Sequence, residues 1–181
     1  MAEVLKKTIK KTLILGGARS GKSRYAEQMV EECGRGLYLA TARAPALGND
    51  VEMATRIAEH KKRRGDIWET IEEPLNIAEV IRKESSKKLP ILVDCLTLWL
   101  SNLMFENFNL DKEIYELTET LEKAVGPVIC VSNEVGMGIV PENRLAREFR
   151  DNAGRLNQAI AKASKHVVLV TAGIAMIVKD E

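Results

Sequence analysis

Short apolar runs alternate along this chain with longer segments in which apolar residues recur every three or four positions. The runs do not alternate internally with polar residues, and this is typical of strands that are buried on both faces of a parallel sheet. The six predicted strands are TLIL (12–15), GLYLA (36–40), PILVD (90–94), PVICVS (127–132), VVLVTAG (167–173) and IAMIV (174–178).

The segments between the runs predict helices, because their apolar residues fall on one face at helical spacing. We expect these helices at 22–33, 50–64, 74–87, 96–107, 111–125 and 141–165. Pro74 and Pro141 are expected in the first turn of their helices, where a missing N–H costs little. The apolar face of the last helix is predicted to consist of Leu145, Phe149, Leu156, Ile160 and Ala163.

Alternating strands and helices predict an α/β fold with a doubly wound, mostly parallel sheet and helices on both faces. The last two runs are separated only by Ala172 and Gly173, which indicates a closing hairpin and an antiparallel edge strand at the C-terminus. We expect one domain over 1–181, with 1–11 as an N-terminal extension. Ligands of such sheets bind at the carboxyl ends of the strands.

Charge and composition narrow the class of protein. The formal net charge of the 181 residues is +1, so no overall field favours nucleic acid or a membrane surface. Cys33, Cys95 and Cys130 are far apart without metal-ligand spacing, so we interpret them as reduced thiols. We see no apolar run long enough to span a bilayer and no signal-type segment, and therefore expect a cytoplasmic protein.

The first predicted strand leads directly into the sequence GGARSGKS. This matches the P-loop pattern, in which glycines let successive N–H groups surround a phosphate and the next helix points its positive end at the same place. The lysine can reach the β- and γ-phosphates, and the final serine can ligate Mg²⁺. The motif predicts a P-loop NTPase-type fold that binds a nucleoside triphosphate, through Gly16, Gly17, Ala18, Arg19, Ser20, Gly21, Lys22 and Ser23.

Asp94 ends the predicted strand PILVD. A carboxylate at this point of a P-loop sheet is the usual second anchor for Mg²⁺. Asp is also a favoured helix N-cap, so the alternative is a cap for the helix that follows. We expect Ser23 and Asp94 to be the metal ligands.

A second unusual feature is RIAEHKKRRG (56–65), in which His60 lies among five cations. One interpretation is a solvated basic face of the helix. The other is a nucleophilic imidazole, kept neutral by neighbouring cations that also stabilise charge on phosphate oxygens. The residues alone leave both interpretations open.

Several stretches together resemble the bifunctional adenosylcobinamide kinase / adenosylcobinamide-phosphate guanylyltransferase family of cobalamin synthesis. The resemblance covers nearly the whole chain, and its last stretch is long and distinctive. The stretches are GGARSGKSRYAE (16–27), LYLATAR (37–43), RIAEHKKRRGDIWETIEEP (56–74), LVDCLTLWLSNL (92–103) and VSNEVGMGIVPENRLAREFRDNAGRLNQ (131–158).

The resemblance implies an enzyme with two activities. It would phosphorylate adenosylcobinamide, a corrinoid, with ATP or GTP, and then transfer GMP from GTP through a covalent GMP-histidine to give adenosylcobinamide-GDP. The RI-x-x-H pattern places that histidine at His60, and Lys22 is the second expected catalytic residue. The family also implies a homotrimer.

The same resemblance extends the nucleotide site beyond the P-loop. Glu72 and Asp94 are implied to contact the guanosine or the metal. The remaining implied contacts are Thr41, Ala42, Arg43, Lys61, Lys62, Arg63 and Arg64.

Two other functions would also use a P-loop. In a single-step small-molecule kinase, His60 would be structural and no α-phosphate would stay on the protein. A GTP-dependent switch would generally carry an Asn-Lys-x-Asp motif for guanine, which we do not find in this sequence.

Overall fold

The computed structural model describes residues 9–43, 65–85 and 89–181, which form one seven-stranded sheet with helices packed on it. The strands are β1 (Thr12–Gly16), β2 (Gly36–Ala40), β3 (Trp68–Glu72), β4 (Ile91–Asp94), β5 (Val128–Asn133), β6 (His166–Thr171) and β7 (Ile174–Asp180). The helices in these ranges are α1 (Lys22–Glu31), α2 (Ile77–Glu84), α3 (Leu96–Phe105), α4 (Leu110–Lys123) and α5 (Arg144–Ala163).

The order of the strands in the sheet is β3-β2-β4-β5-β1-β6-β7. Every neighbouring pair is parallel except β6 and β7, which are antiparallel. Ala172 and Gly173 connect these two strands with φ angles of 52° and 78°. The predicted fold class, including the antiparallel edge strand at the C-terminus, is therefore confirmed.

Successive residues of the central strands are buried on opposite faces of the sheet. Leu13 and Leu39 belong to a cluster that contains residues of α2, α3, α4 and α5. Ile14, Tyr38 and Leu92 belong to a second cluster, which contains residues of α1. Burial on both faces explains why these strands appear in the sequence as uninterrupted apolar runs.

One strand, β3, was not predicted. Its sequence WETIE is mostly polar, and it lies at the edge of the sheet, where β2 is its only partner among the described strands. Charged residues on an edge strand hinder pairing with another chain. An edge strand of this kind lacks the apolar run on which the sequence prediction depended.

The predicted positions of two prolines in first helical turns are wrong, because α2 begins at Ile77 and α5 begins at Arg144. Pro74 and Pro141 therefore precede their helices. The Asn143 side chain caps α5 by accepting a hydrogen bond from Ala146 N at 3.2 Å, which places the helix start after the proline.

The predicted burial of one residue on the apolar face of α5 is also wrong. Leu145 is 64% exposed, whereas Leu156 and Ile160 are completely buried. Leu145 lies in the first turn of the helix, beyond the cover of its neighbours. The predicted helix over 50–64 lies outside the described residues.

Two further predictions concern cysteines and membrane helices. Cys33, Cys95 and Cys130 are free thiols, as expected, and the last two are buried. Within 9–43, 65–85 and 89–181, none of the helices has the length and apolar character that crossing a membrane requires.

Candidate active site

The segment between β1 and α1 has the backbone of a phosphate cradle. Arg19 and Gly21 adopt positive φ angles of 55° and 96°, and α1 begins immediately afterwards at Lys22. A Cβ at Gly16 would lie 2.4 Å from Ser20 Oγ and 2.5 Å from the Val170 carbonyl oxygen. Close packing therefore requires glycine at position 16. The N-terminus of α1 follows directly after the loop, as in sites that bind phosphate.

Lys22 lies at the base of this loop and is only 8% exposed. Its Nζ donates a hydrogen bond to Gly17 O at 3.0 Å. Burial lowers the pKa of Lys22, and the neighbouring Cys95 and Asp94 oppose this shift. The amine is thus held inside the loop that is predicted to bind phosphates.

Asp94 ends β4, and its carboxylate is oriented by the protein. Tyr38, on the neighbouring strand β2, donates a hydrogen bond from its hydroxyl to Asp94 Oδ2 at 2.7 Å. The alternative interpretation of Asp94 as a helix cap is wrong, because the N-cap of α3 is Cys95. The Asp94 carboxylate therefore lies at the carboxyl end of β4, where Tyr38 holds it.

The oxygen donors of Ser23 and Asp94 fit Mg²⁺, which prefers hard oxygen ligands. Mg²⁺ is usually bound by one or two protein oxygens together with the phosphates of a substrate. No group of three or more His, Cys, Asp or Glu side chains that could hold a metal occurs in the part of the chain that the structure describes.

Two of the residues after β2 that are expected to contact the nucleotide make bonds within the protein. Thr41 is completely buried; its hydroxyl accepts a hydrogen bond from Cys95 N and donates one to Cys95 O, each at 2.8 Å. Arg43 makes a 2.8 Å ion pair with Glu106. Contacts from Thr41, Ala42 and Arg43 to a nucleotide stay predictions.

Glu72 and Asn133 lie at the same edge of the sheet as the P-loop. Glu72 ends β3 opposite Ala40, and Asn133 ends β5 opposite Gly16. The next residue, Glu134, donates its N–H to Gly16 O at 3.1 Å. The sheet therefore brings the P-loop, Asp94 and Glu72 to one edge, although these residues are far apart in the sequence.

The basic segment is the part of the predicted site for which the structure supplies no geometry. His60 and residues Lys61, Lys62, Arg63 and Arg64 lie outside the described residues. Their roles stay predictions from the resemblance.

Sequence reasoning missed two residues that orient this edge. Tyr38 holds Asp94, and Thr97 Oγ1 accepts a hydrogen bond from Asn133 N at 2.7 Å. Both residues lie in apolar stretches of the sequence, which indicate only that they are buried. To predict the contact of Tyr38 with Asp94, one would have to know that β2 lies beside β4, and the sequence does not show this.

Comparison with known proteins gives a family model and relatives that match most of this chain. The model of the family "Cobinamide kinase / cobinamide phosphate guanyltransferase" matches residues 12–178. A relative from Pseudomonas aeruginosa, the bifunctional adenosylcobalamin biosynthesis protein CobP, is 48% identical over 172 residues, which cover 93% of this chain and 97% of that protein. The Escherichia coli K12 bifunctional adenosylcobalamin biosynthesis protein CobU is 39% identical over 183 residues, covering 92% and 98%.

Two solved structures share the fold at low sequence identity. A Pyrococcus horikoshii OT3 protein has a TM-score of 0.51 at 12% identity, covering 94% of this chain and 86% of that chain. The P4 protein of bacteriophage phi6 in complex with ADP has a TM-score of 0.50 at 14% identity, covering 92% and 52%. These likenesses concern the fold alone.

Proposed function

This chain belongs to the cobinamide kinase / cobinamide phosphate guanyltransferase family, and we propose that it phosphorylates adenosylcobinamide with ATP or GTP and then transfers GMP from GTP to the product. The family is one of bifunctional enzymes, each a kinase and a nucleotidyltransferase. The observation that carries the proposal is the phosphate cradle of residues 16–23 at the same sheet edge as Asp94. Family membership supplies the two reactions, and the cradle supplies a place for the triphosphate.

In the kinase step the hydroxyl oxygen of adenosylcobinamide attacks the γ-phosphorus of the nucleotide. The bond from the γ-phosphorus to the bridging oxygen breaks, ADP or GDP leaves, and the hydroxyl proton is released. Lys22 and the N–H groups of the cradle stabilise the charge that is shared by the β- and γ-phosphate oxygens. Ser23 and Asp94 would hold Mg²⁺, which supplies further neutralisation of that charge when it is bound.

In the guanylyl step we propose that His60 is the nucleophile. A ring nitrogen attacks the α-phosphorus of GTP, pyrophosphate leaves, and a phosphorus–nitrogen bond holds GMP on the protein. A phosphate oxygen of adenosylcobinamide phosphate then attacks the same phosphorus, which gives adenosylcobinamide-GDP and restores the imidazole. This step is supported by the resemblance and by the cations at 61–64 in the sequence.

Labelled GTP separates the two steps. We expect protein incubated with GTP labelled at the α-phosphate to keep acid-labile label after denaturation. His60→Ala should lose that label while it still transfers γ-phosphate to adenosylcobinamide. The matched control is His166→Ala, because His166 is the other histidine of the chain and contacts Asp180 on the hairpin, at 3.2 Å.

The outcomes distinguish the proposed activities. Label retained by His60→Ala but lost from His166→Ala would refute the assignment of the nucleophile. An active wild type that never holds α-label would refute the covalent step, and would favour the single-step kinase. Absence of γ-phosphate transfer to any corrinoid would refute the kinase activity.

We also propose that the protein is a homo-oligomer, with the homotrimer implied by the resemblance. Four apolar residues of the edge strand β7 are between 55% and 68% exposed: Ile174, Met176, Ile177 and Val178. An exposed apolar edge strand is a surface on which another protein chain can pack. Light scattering coupled to size-exclusion chromatography should give a mass of three chains, and a mass of one chain would refute this assignment.

A further inference from the structure

We propose that Tyr38 is a positioning residue for the phosphate-transfer site, because its hydroxyl holds the Asp94 carboxylate in the orientation that binds the metal–nucleotide complex. This inference rests on the proposed function, in which Asp94 helps to bind Mg²⁺. The observation behind it is the 2.7 Å hydrogen bond from the Tyr38 hydroxyl to Asp94 Oδ2.

The register of the sheet brings the two side chains together. Tyr38 pairs with Leu92, and Ala40 pairs with Asp94, on the parallel strands β2 and β4. Residues two apart on a strand lie on the same face, so Asp94 is the diagonal neighbour of Tyr38. That face is covered by α1, which begins at Lys22 directly after the phosphate cradle.

The phenol ring is held firmly on its other side. Tyr38 is 3% exposed, and its ring makes an edge-to-face contact with Trp68 of β3, with centroids 5.7 Å apart and an interplanar angle of 82°. Trp68 in turn lies close to the backbone of Gly36, where a Cβ would be 3.3 Å from Trp68 Cζ3 and 2.2 Å from Val30 Cγ1. A ring packed in this way fixes the position of its hydroxyl.

A neutral donor is well suited to this task. A phenol hydroxyl restricts rotation of the Asp94 carboxylate, but unlike Lys or Arg it adds no positive charge that would compete with a metal ion. Partners that hydrogen-bond to a metal-binding carboxylate orient it, and replacing them typically costs about 10- to 100-fold in metal affinity or activity.

Tyr38→Phe tests the inference, because it removes the hydroxyl and keeps the ring against Trp68. The matched control is Tyr115→Phe, which removes the same hydroxyl from a 67% exposed side chain on α4. Asp94→Asn provides the reference for loss of the carboxylate charge. For each variant, Mn²⁺ binding is measured by electron paramagnetic resonance in the presence of a GTP analogue with a methylene bridge between the β- and γ-phosphorus.

We expect Tyr38→Phe to weaken Mn²⁺ binding by about tenfold, and Tyr115→Phe to leave it unchanged. The kinase activity of Tyr38→Phe should require more Mg²⁺ and should return toward the wild-type kcat when Mg²⁺ is saturating. A purely structural role would change the melting temperature without changing the metal dependence.

Two results would overturn the inference, and they have different consequences. If Asp94→Asn weakens Mn²⁺ binding while Tyr38→Phe does not, Tyr38 has no positioning role and the proposed function is unaffected. If neither variant changes Mn²⁺ binding, the role of Asp94 in the proposed function is wrong as well.

Discussion

Replacing Thr41 by Val tests whether this residue stabilises the fold at the active-site edge. The substitution nearly preserves the shape of the side chain and removes the hydroxyl. That hydroxyl is completely buried and makes two 2.8 Å hydrogen bonds to the backbone of Cys95, the residue after Asp94. Val therefore removes hydrogen bonds while the packing stays close to that of the wild type.

The cost can be worked out from what each Cys95 backbone group retains. Cys95 O still accepts a hydrogen bond from Trp99 N at 3.2 Å, so loss of the Thr41 donor costs about 1 kcal/mol. Cys95 N loses the acceptor that the structure gives it, and an unsatisfied buried N–H costs about 1–3 kcal/mol. The free energy of unfolding should fall by about 2–4 kcal/mol, which lowers the melting temperature by roughly 5–15 °C for a chain of this size.

The assay is urea denaturation followed by circular dichroism, with Thr41→Ser as the matched control. Ser keeps the hydroxyl and loses one methyl group, for which we expect about 1 kcal/mol. The midpoint of Thr41→Val should lie below that of Thr41→Ser, with an unchanged dependence on urea. If Val is as stable as Ser, the hydrogen bonds to Cys95 do not stabilise the fold and the reasoning is refuted.

Three further predictions follow from described contacts. Gly16→Ala should abolish nucleotide binding measured by calorimetry, because its methyl group would lie 2.5 Å from a β6 carbonyl oxygen; wild-type affinity would contradict this. Asn143→Ala should lower the free energy of unfolding by about 1 kcal/mol through loss of the α5 cap, and an unchanged urea midpoint would show that the cap contributes nothing. Burial raises the pKa of Cys95 to about 11 and of Cys130 to about 12, from 9.0, so their contribution to stability is present below pH 9 and is lost as the pH rises through these values. At pH 8 iodoacetamide should modify Cys33 well before these two thiols, and equal rates would refute their burial.

Local sequence was sufficient to predict the glycine-rich loop between β1 and α1. Its eight residues are consecutive, and the phosphate-binding role predicted for them depends mainly on their immediate neighbours. The strand before it and the helix after it were predicted from periodicity, since β1 is buried on both faces and α1 has one apolar face. The position of Asp94 at the end of a strand was predicted for a related reason, because it directly follows an apolar run.

Prediction failed where a residue depends on a partner that is distant in the sequence. The edge strand β3 has polar residues, and of the strands that the structure describes it pairs with β2 alone, so no apolar run marks it. Leu145 was expected to be buried because helical spacing places it on the apolar face of α5. Its burial, however, depends on whether other elements cover that part of the face.

The sequence by itself therefore determined the class of fold, the P-loop and the family, since periodicity, motif spacing and long similar stretches are properties of a linear pattern. Only the tertiary structure decided that β2 lies between β3 and β4, and with it that the Tyr38 hydroxyl reaches Asp94 and that the Thr41 hydroxyl holds Cys95. The physical reason is that hydrogen bonds between neighbouring strands depend on strand order and register. These are set by packing of the whole sheet and its helices, and they leave no local signal in the sequence.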